Sequence, residues 1–135
     1  MFKIKRETDL GLVFLEALSA LDKGEYLSLQ RWAKFRKLPY RFLSKVAGNL
    51  KRSGLVAAKE GKDGGYCLAK PPSQVKLGQV IKILEGNLSL SRCAAGVKCS
   101  CKQFCLHRKL MGKLGQTLEK ELNRTSLQTL YADNQ

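Results

Sequence analysis

A chain of 135 residues with 44% hydrophobic content can build one packed core and is too apolar for disorder. It has no run of about 18 apolar residues, so no membrane span is expected. The net charge of +14 excludes a neutral surface and points to a polyanionic partner.

The N-terminus, Met1 to Arg6, is basic but leads into Glu7 and Asp9 without an apolar stretch. It does not read as a secretory signal, and an intracellular, cytoplasmic setting is expected. From Thr8 to Leu21, Leu10, Val13, Phe14, Leu15, Leu18 and Leu21 cover a broad helical face, predicting a buried helix. Asp22 to Glu25 ends it. Ser28 is a good N-cap for a short helix from Leu29 to about Arg36. Lys37-Leu38 is a tight connection, and Pro39 suits the first position of a third helix, to about Arg52.

That third helix is two-sided. Leu43, Val46, Ala47 and Leu50 share one face. Arg41, Phe42, Ser44, Lys45 and Asn49 fall outside it. Ser53-Gly54 stops the helix. Leu55–Lys59 and Gly65–Ala69, joined by a glycine-containing turn, predict a β-hairpin closed by Pro71-Pro72. Val75 to Leu84 predicts a fourth helix. Arg108 to about Leu122 predicts a long one, with Leu110, Met111, Leu114, Leu118 and Leu122 as an apolar seam. Leu127 and Leu130 suit a final docking turn.

The charge is concentrated. Between Ser28 and Lys62 stand ten Lys or Arg residues against one acid, Glu60. Helix, short helix, tight turn, helix and hairpin is the order of a winged helix-turn-helix, whose third helix enters the DNA major groove. The fold class expected is therefore mainly α with a small β-hairpin, carrying a long C-terminal helix. Arg41, Phe42, Ser44 and Lys45 are the candidates for groove contact, with Arg41 suited to guanine. Ser28, Arg31, Lys51, Lys59 and Lys62 are candidates for phosphate, which positions without specifying. Phe42 is equally well read as a partly buried core residue.

Four of the five cysteines and the only histidine lie between Cys93 and His107. Thiolates and imidazole gathered on one short segment suit a soft or borderline metal. Zinc and iron both fit. The segment lacks the paired Cys-x-x-Cys knuckles of zinc ribbons, which favours iron. Cys67, beside Tyr66 in the hairpin, reads as packing. A cysteine enzyme is disfavoured: His107 has no evident orienting partner, and no phosphate loop or paired-acid motif stands out.

Lys51-Arg52-Ser53-Gly54-Leu55-Val56, then Gly64-Gly65-Tyr66 and Leu68-Ala69-Lys70-Pro71-Pro72, resemble the Rrf-two family of bacterial winged-helix regulators (IscR-, NsrR-, RirA- and CymR-like members). Leu77 to Ile81 and Leu84-Glu85-Gly86 resemble its next helix and turn. The resemblance implies a homodimer that binds a palindromic DNA operator, with the long C-terminal helix at the dimer contact. The division it suggests is 1–72 for DNA and 73–135 for metal and dimerisation.

The resemblance also implies an iron–sulfur cluster on Cys93, Cys99 and Cys105. Asp9 of the partner subunit would be the fourth ligand to a four-iron cluster, as in NsrR-like members, the closest in ligand pattern. His107 is the second candidate, on the pattern of IscR-like members with a two-iron cluster. It lies two positions after Cys105 where they have three. Cys101, an extra thiol, is the third. Asp9 is equally well explained by the helix dipole, and His107 as a polar residue opening the last helix. The function implied is a cluster-dependent regulator, a repressor, sensing nitric oxide, redox or iron status. The alternative is a winged-helix regulator with structural zinc or no metal, controlled by a protein partner.

Overall fold

The computed structural model describes residues 3–86, 88–91, 96, 98 and 105–132. Among these residues six α-helices and one hairpin follow in order: α1 (Arg6–Ser19), α2 (Leu29–Arg36), α3 (Tyr40–Arg52), β1 (Val56–Lys59), β2 (Gly65–Leu68), α4 (Leu77–Glu85), α5 (Leu106–Arg124) and α6 (Leu127–Ala132).

The periodic stripe of α3 becomes the centre of the core. Leu43, Val46, Ala47 and Leu50 are all fully buried. Truncating a leucine such as Leu43 or Leu50 to alanine would cost about 2–5 kcal/mol. Against α3 pack Leu10, Phe14, Leu15 and Leu18 of α1, Leu29, Trp32 and Ala33 of α2, and Val80 and Leu84 of α4. Val75 and Leu127 join the same cluster, so one core draws on both halves of the chain.

Three aromatic rings tie the helices to the hairpin. Phe14 sits 5.7 Å from Trp32 on one side and 5.7 Å, edge to face, from Tyr66 on the other. β1 and β2 pair antiparallel from Val56 opposite Leu68 to Lys59 opposite Gly65. Leu27 adds a bridge to Tyr66 through mutual backbone bonds of 2.8 Å. Gly65 makes that approach possible: its φ is +151°, and a Cβ there would meet the Leu27 carbonyl.

The elements match the sequence expectation with local shifts. The first helix runs Arg6–Ser19 rather than Thr8 to Leu21. Its early start depends on a distant acceptor: Glu85, at the end of α4, takes hydrogen bonds from the Lys5 N–H and the Thr8 hydroxyl. Pro39 is the N-cap of α3, not its first helical residue, with an extended ψ of 111°.

The fourth helix begins at Leu77, not Val75. Val75 and Lys76 are extended because this stretch bridges to Ser126: Leu77 N–H donates to Thr125 O at 2.8 Å, and Leu127 N–H to Val75 O at 2.9 Å. A short 3₁₀ turn, Pro72–Gln74, leads into this pairing. The expected docking turn is the helix α6. It returns the C-terminus to α1, where Tyr131 Oη donates to Leu12 O at 3.2 Å.

Candidate nucleic-acid interface and cysteine segment

Ser28 caps α2 as its residue type requires, its hydroxyl accepting from Arg31 N–H at 3.5 Å. A capped helix start leaves further N–H groups for a phosphate. Arg31 is exposed beside it. Ser28, Arg31 and Lys62 line one groove of about 940 Å³ between α2 and the hairpin tip, together with Tyr26 and Phe35. The structure thus brings three of the candidate phosphate partners together.

On α3, Arg41 and Lys45 are exposed and Ser44 is half-buried. Phe42 is also half-buried, packed on the core with the Arg6 guanidinium 5.8 Å from its ring centroid. That is the core placement weighed above, and it links α1 to the face of α3. Lys51 stands exposed in the last turn of α3. Lys59 ends β1, its ammonium 5.4 Å from the centre of the Tyr26 ring. Among the described residues, none of these cations forms an ion pair with an acid; the pair present is Arg124 with Glu121, on α5. The positive field is therefore not neutralised internally.

Sequence reasoning gave no site role to three residues at the corner between α2 and α3, although it placed a tight connection at Lys37-Leu38. Phe35 is 82% exposed, although aromatic. It falls off the Leu29–Trp32–Ala33 stripe of α2, and that mismatch was the available signal. Tyr40 is exposed in the first turn of α3. Lys37 takes a left-handed conformation, φ +54° and ψ +44°, which residue identity does not announce.

Cys93, Cys99 and Cys101 lie outside the described residues. Cys105 is half-buried at the N-cap of α5 and forms no disulfide. His107 is exposed one residue into that helix, and Asp9 is exposed in the first turn of α1. No group of three potential metal ligands occurs among the described residues. The donor chemistry of the whole segment, four thiols and one imidazole, still fits an iron–sulfur cluster or zinc. Cys67 is half-buried in β2 opposite Ala57, as expected of a packing residue.

Helix α5 has no buried residue. Leu106, Leu110 and Leu114 recur every four residues and are 81%, 52% and 44% exposed. None of the described helices is long and apolar enough to cross a membrane.

Comparison with known proteins agrees with this geometry. Residues 4–133 match the Rrf2 (Rrf-two) family model, described as an iron-dependent transcriptional regulator. The structure is similar to CymR (YrzC), the global cysteine regulator of B. subtilis, with a TM-score of 0.82 and 26% identity over 98% of both chains. It is similar to T. potens IscR, with a TM-score of 0.79 and 24% identity over 99% of this chain and 89% of that one. The oxidized form of Staphylococcus aureus CymR gives 0.77 and 23% over 96% and 95%. With the family model spanning nearly its whole length and a winged helix at its core, the chain belongs to the Rrf2 family of DNA-binding transcriptional regulators, which are not enzymes.

Proposed function

We propose that this regulator is a homodimer whose grip on a palindromic operator depends on an iron–sulfur cluster held by the cysteine segment. One observation carries the reading. Cys105 occupies the N-cap position of the same helix, α5, that exposes Leu106, Leu110 and Leu114. A ligand thiol and an unpartnered apolar row therefore share one rigid element.

Residues 1–72 meet the DNA in this reading, and 73–135 hold the cluster and the partner subunit. Arg41, Phe42, Ser44 and Lys45 face the groove; Ser28, Arg31, Lys51, Lys59 and Lys62 take phosphates. Cys93, Cys99 and Cys105 hold the cluster, of four irons or two. Asp9 is the first candidate for the remaining position, ahead of His107 and Cys101. When bound, the cluster supplies an iron centre reactive toward nitric oxide, oxygen or iron loss. Thiolate ligation by Cys105 fixes the start of α5, and α5 lies against α4. Glu85 of α4 in turn holds the start of α1, whose Arg6 rests on Phe42 of the reading helix. A two-fold protein needs its half-sites at a fixed separation, so a small shift of α5 changes DNA affinity.

The test is anaerobic purification followed by iron, sulfide and zinc analysis, absorption spectra, and DNA binding by holo and apo protein. Cluster absorption with cluster-dependent binding is expected. Stoichiometric zinc without that absorption would defeat the proposal. The likeness to the B. subtilis global cysteine regulator favours a second reading: structural zinc or no metal, with control by a protein partner. Cysteine substitutions that leave DNA binding untouched would select it.

A further inference from the structure

We propose that Lys37, at the corner between α2 and α3, is a DNA-phosphate anchor held in a conformation that lowers the stability of the free protein. This rests on the DNA-binding activity of the family and names a contact that the candidate residues above do not include.

Six described glycines, Gly24, Gly54, Gly61, Gly65, Gly86 and Gly96, occupy positive φ. Lys37 is the one described non-glycine residue that does so. The corner requires the conformation. Lys37 N–H donates to Lys34 O at 3.3 Å and Leu38 N–H donates to Ala33 O at 2.8 Å, which satisfies the end of α2 and turns the chain into α3. Glycine meets this demand without strain. A side chain brings its Cβ against the neighbouring carbonyl, and lysine lacks the short polar group by which asparagine or aspartate eases the position.

Any L-residue or glycine at this corner would make those backbone bonds; the lysine side chain itself gains nothing within the described protein. Lys37 is exposed, and its ammonium makes neither a hydrogen bond nor an ion pair with another described residue. A strained non-glycine residue whose side chain has no partner within the protein is a feature of functional sites. What lysine adds over glycine is a long stem ending in a point charge, the group suited to a phosphate. The surroundings select the same partner. Arg36 precedes the corner, and Arg41 is the second residue of α3, both exposed and without an acid partner among the described residues. A phosphate flanking the groove entered by α3 is the occupant that fits.

The experiment pairs thermal denaturation with fluorescence-anisotropy titration of a mixed-sequence duplex across a salt series. Mixed sequence suffices because phosphate contacts are independent of base identity. For Lys37→Gly, a melting temperature a few degrees above wild type is expected, with affinity about fivefold weaker per protomer at about 0.15 M salt. The slope of log affinity against log salt becomes shallower by about one per protomer. Lys37→Gln keeps the strained backbone and loses the charge, so it melts as wild type but binds as Lys37→Gly. Lys37→Arg keeps both melting and binding. Lys120→Gln, on α5, leaves the slope unchanged. Wild-type affinity and slope in Lys37→Gly overturn the anchor, and a lowered melting temperature overturns the strain. Wild-type protein that fails to bind the duplex overturns the DNA-binding reading and the anchor with it; wild-type binding beside an indifferent Lys37→Gly overturns the anchor alone.

Discussion

The Thr8 hydroxyl, fully buried near the start of α1, donates to the Glu85 carboxylate at 2.8 Å, although the two residues lie 77 positions apart. The same oxygen of Glu85 accepts from the Lys5 N–H at the N-cap of α1. Lys5 has no capping side chain of its own, so an acid at the end of α4 does the work of a local cap. The joint holds α4, which leads into the cysteine segment, against the helix that bears Asp9.

Replacing Glu85 with alanine leaves a buried hydroxyl and a helix-end N–H without their acceptor. A loss of about 1–3 kcal/mol is expected, read as a lower urea midpoint with an unchanged slope. A midpoint equal to wild type would show that water replaces the carboxylate at no cost.

The exposed leucine row of α5 is expected to hold two copies together. Leu110→Asp, or Leu110→Asp with Leu114→Asp, should shift the sedimentation coefficient from dimer to monomer while the helical circular dichroism is retained. Operator affinity should then fall by tenfold or more, because each half-site is bound alone. A wild-type protein that sediments as a monomer at all concentrations refutes this.

The two classes of basic residue should separate in binding assays. Arg41→Ala should cost about 1–3 kcal/mol on the operator and relax preference at one base pair. Lys51→Ala should weaken every duplex alike and flatten the salt dependence by about one unit per protomer. Equal losses on operator and random DNA for both variants would remove Arg41 from base reading.

Cysteine substitutions should sort the thiols. Cys93→Ser, Cys99→Ser and Cys105→Ser should each abolish bound iron, and chelation of wild-type protein should reproduce their DNA-binding behaviour. Cys67→Ser, in the hairpin, should retain full iron content. Iron loss in the Cys67 variant alone would redirect the ligand assignment.

Tyr131 gives a pH signature. Burial, helped by the negative charge of Glu16, pushes its phenol well above the usual tyrosine value. The folded state therefore favours the neutral ring. Its contribution to stability is intact below about pH 10, where the unfolded chain also keeps the proton, and is lost as pH rises toward the folded value. Urea midpoints should fall above about pH 10 in wild type and less so in Tyr131→Phe. That variant also loses the bond to Leu12 O, worth about 0.5–1.5 kcal/mol at neutral pH. Parallel pH profiles would contradict this account.

Much of the architecture is written locally. The spacing of Leu43, Val46, Ala47 and Leu50 foretold a helix with one apolar face, and all four are fully buried. Ser28 announced the start of α2, and the glycine turn announced the hairpin. These features are decided within a turn or two of chain, so residue type and period suffice. The soft-donor cluster between Cys93 and His107 is equally plain as chemistry, although three of its thiols lie outside the described residues.

Other features needed the packed molecule. Pro39 moved from first helical residue to N-cap because the corner at Lys37 set where α3 begins. Val75 and Lys76 left the helix expected for them because residues 125–127 offered a strand partner. Phe35 and Phe42 are the same residue type, yet one is exposed and the other packs under Arg6. Periodicity states which face of a helix is apolar; it does not state what lies opposite. The sequence by itself determined a basic winged helix and a thiol-rich segment. Only the tertiary structure decided that Glu85 would cap α1 and that the leucines of α5 would be left uncovered, because contacts between distant segments arise from the packing of whole elements.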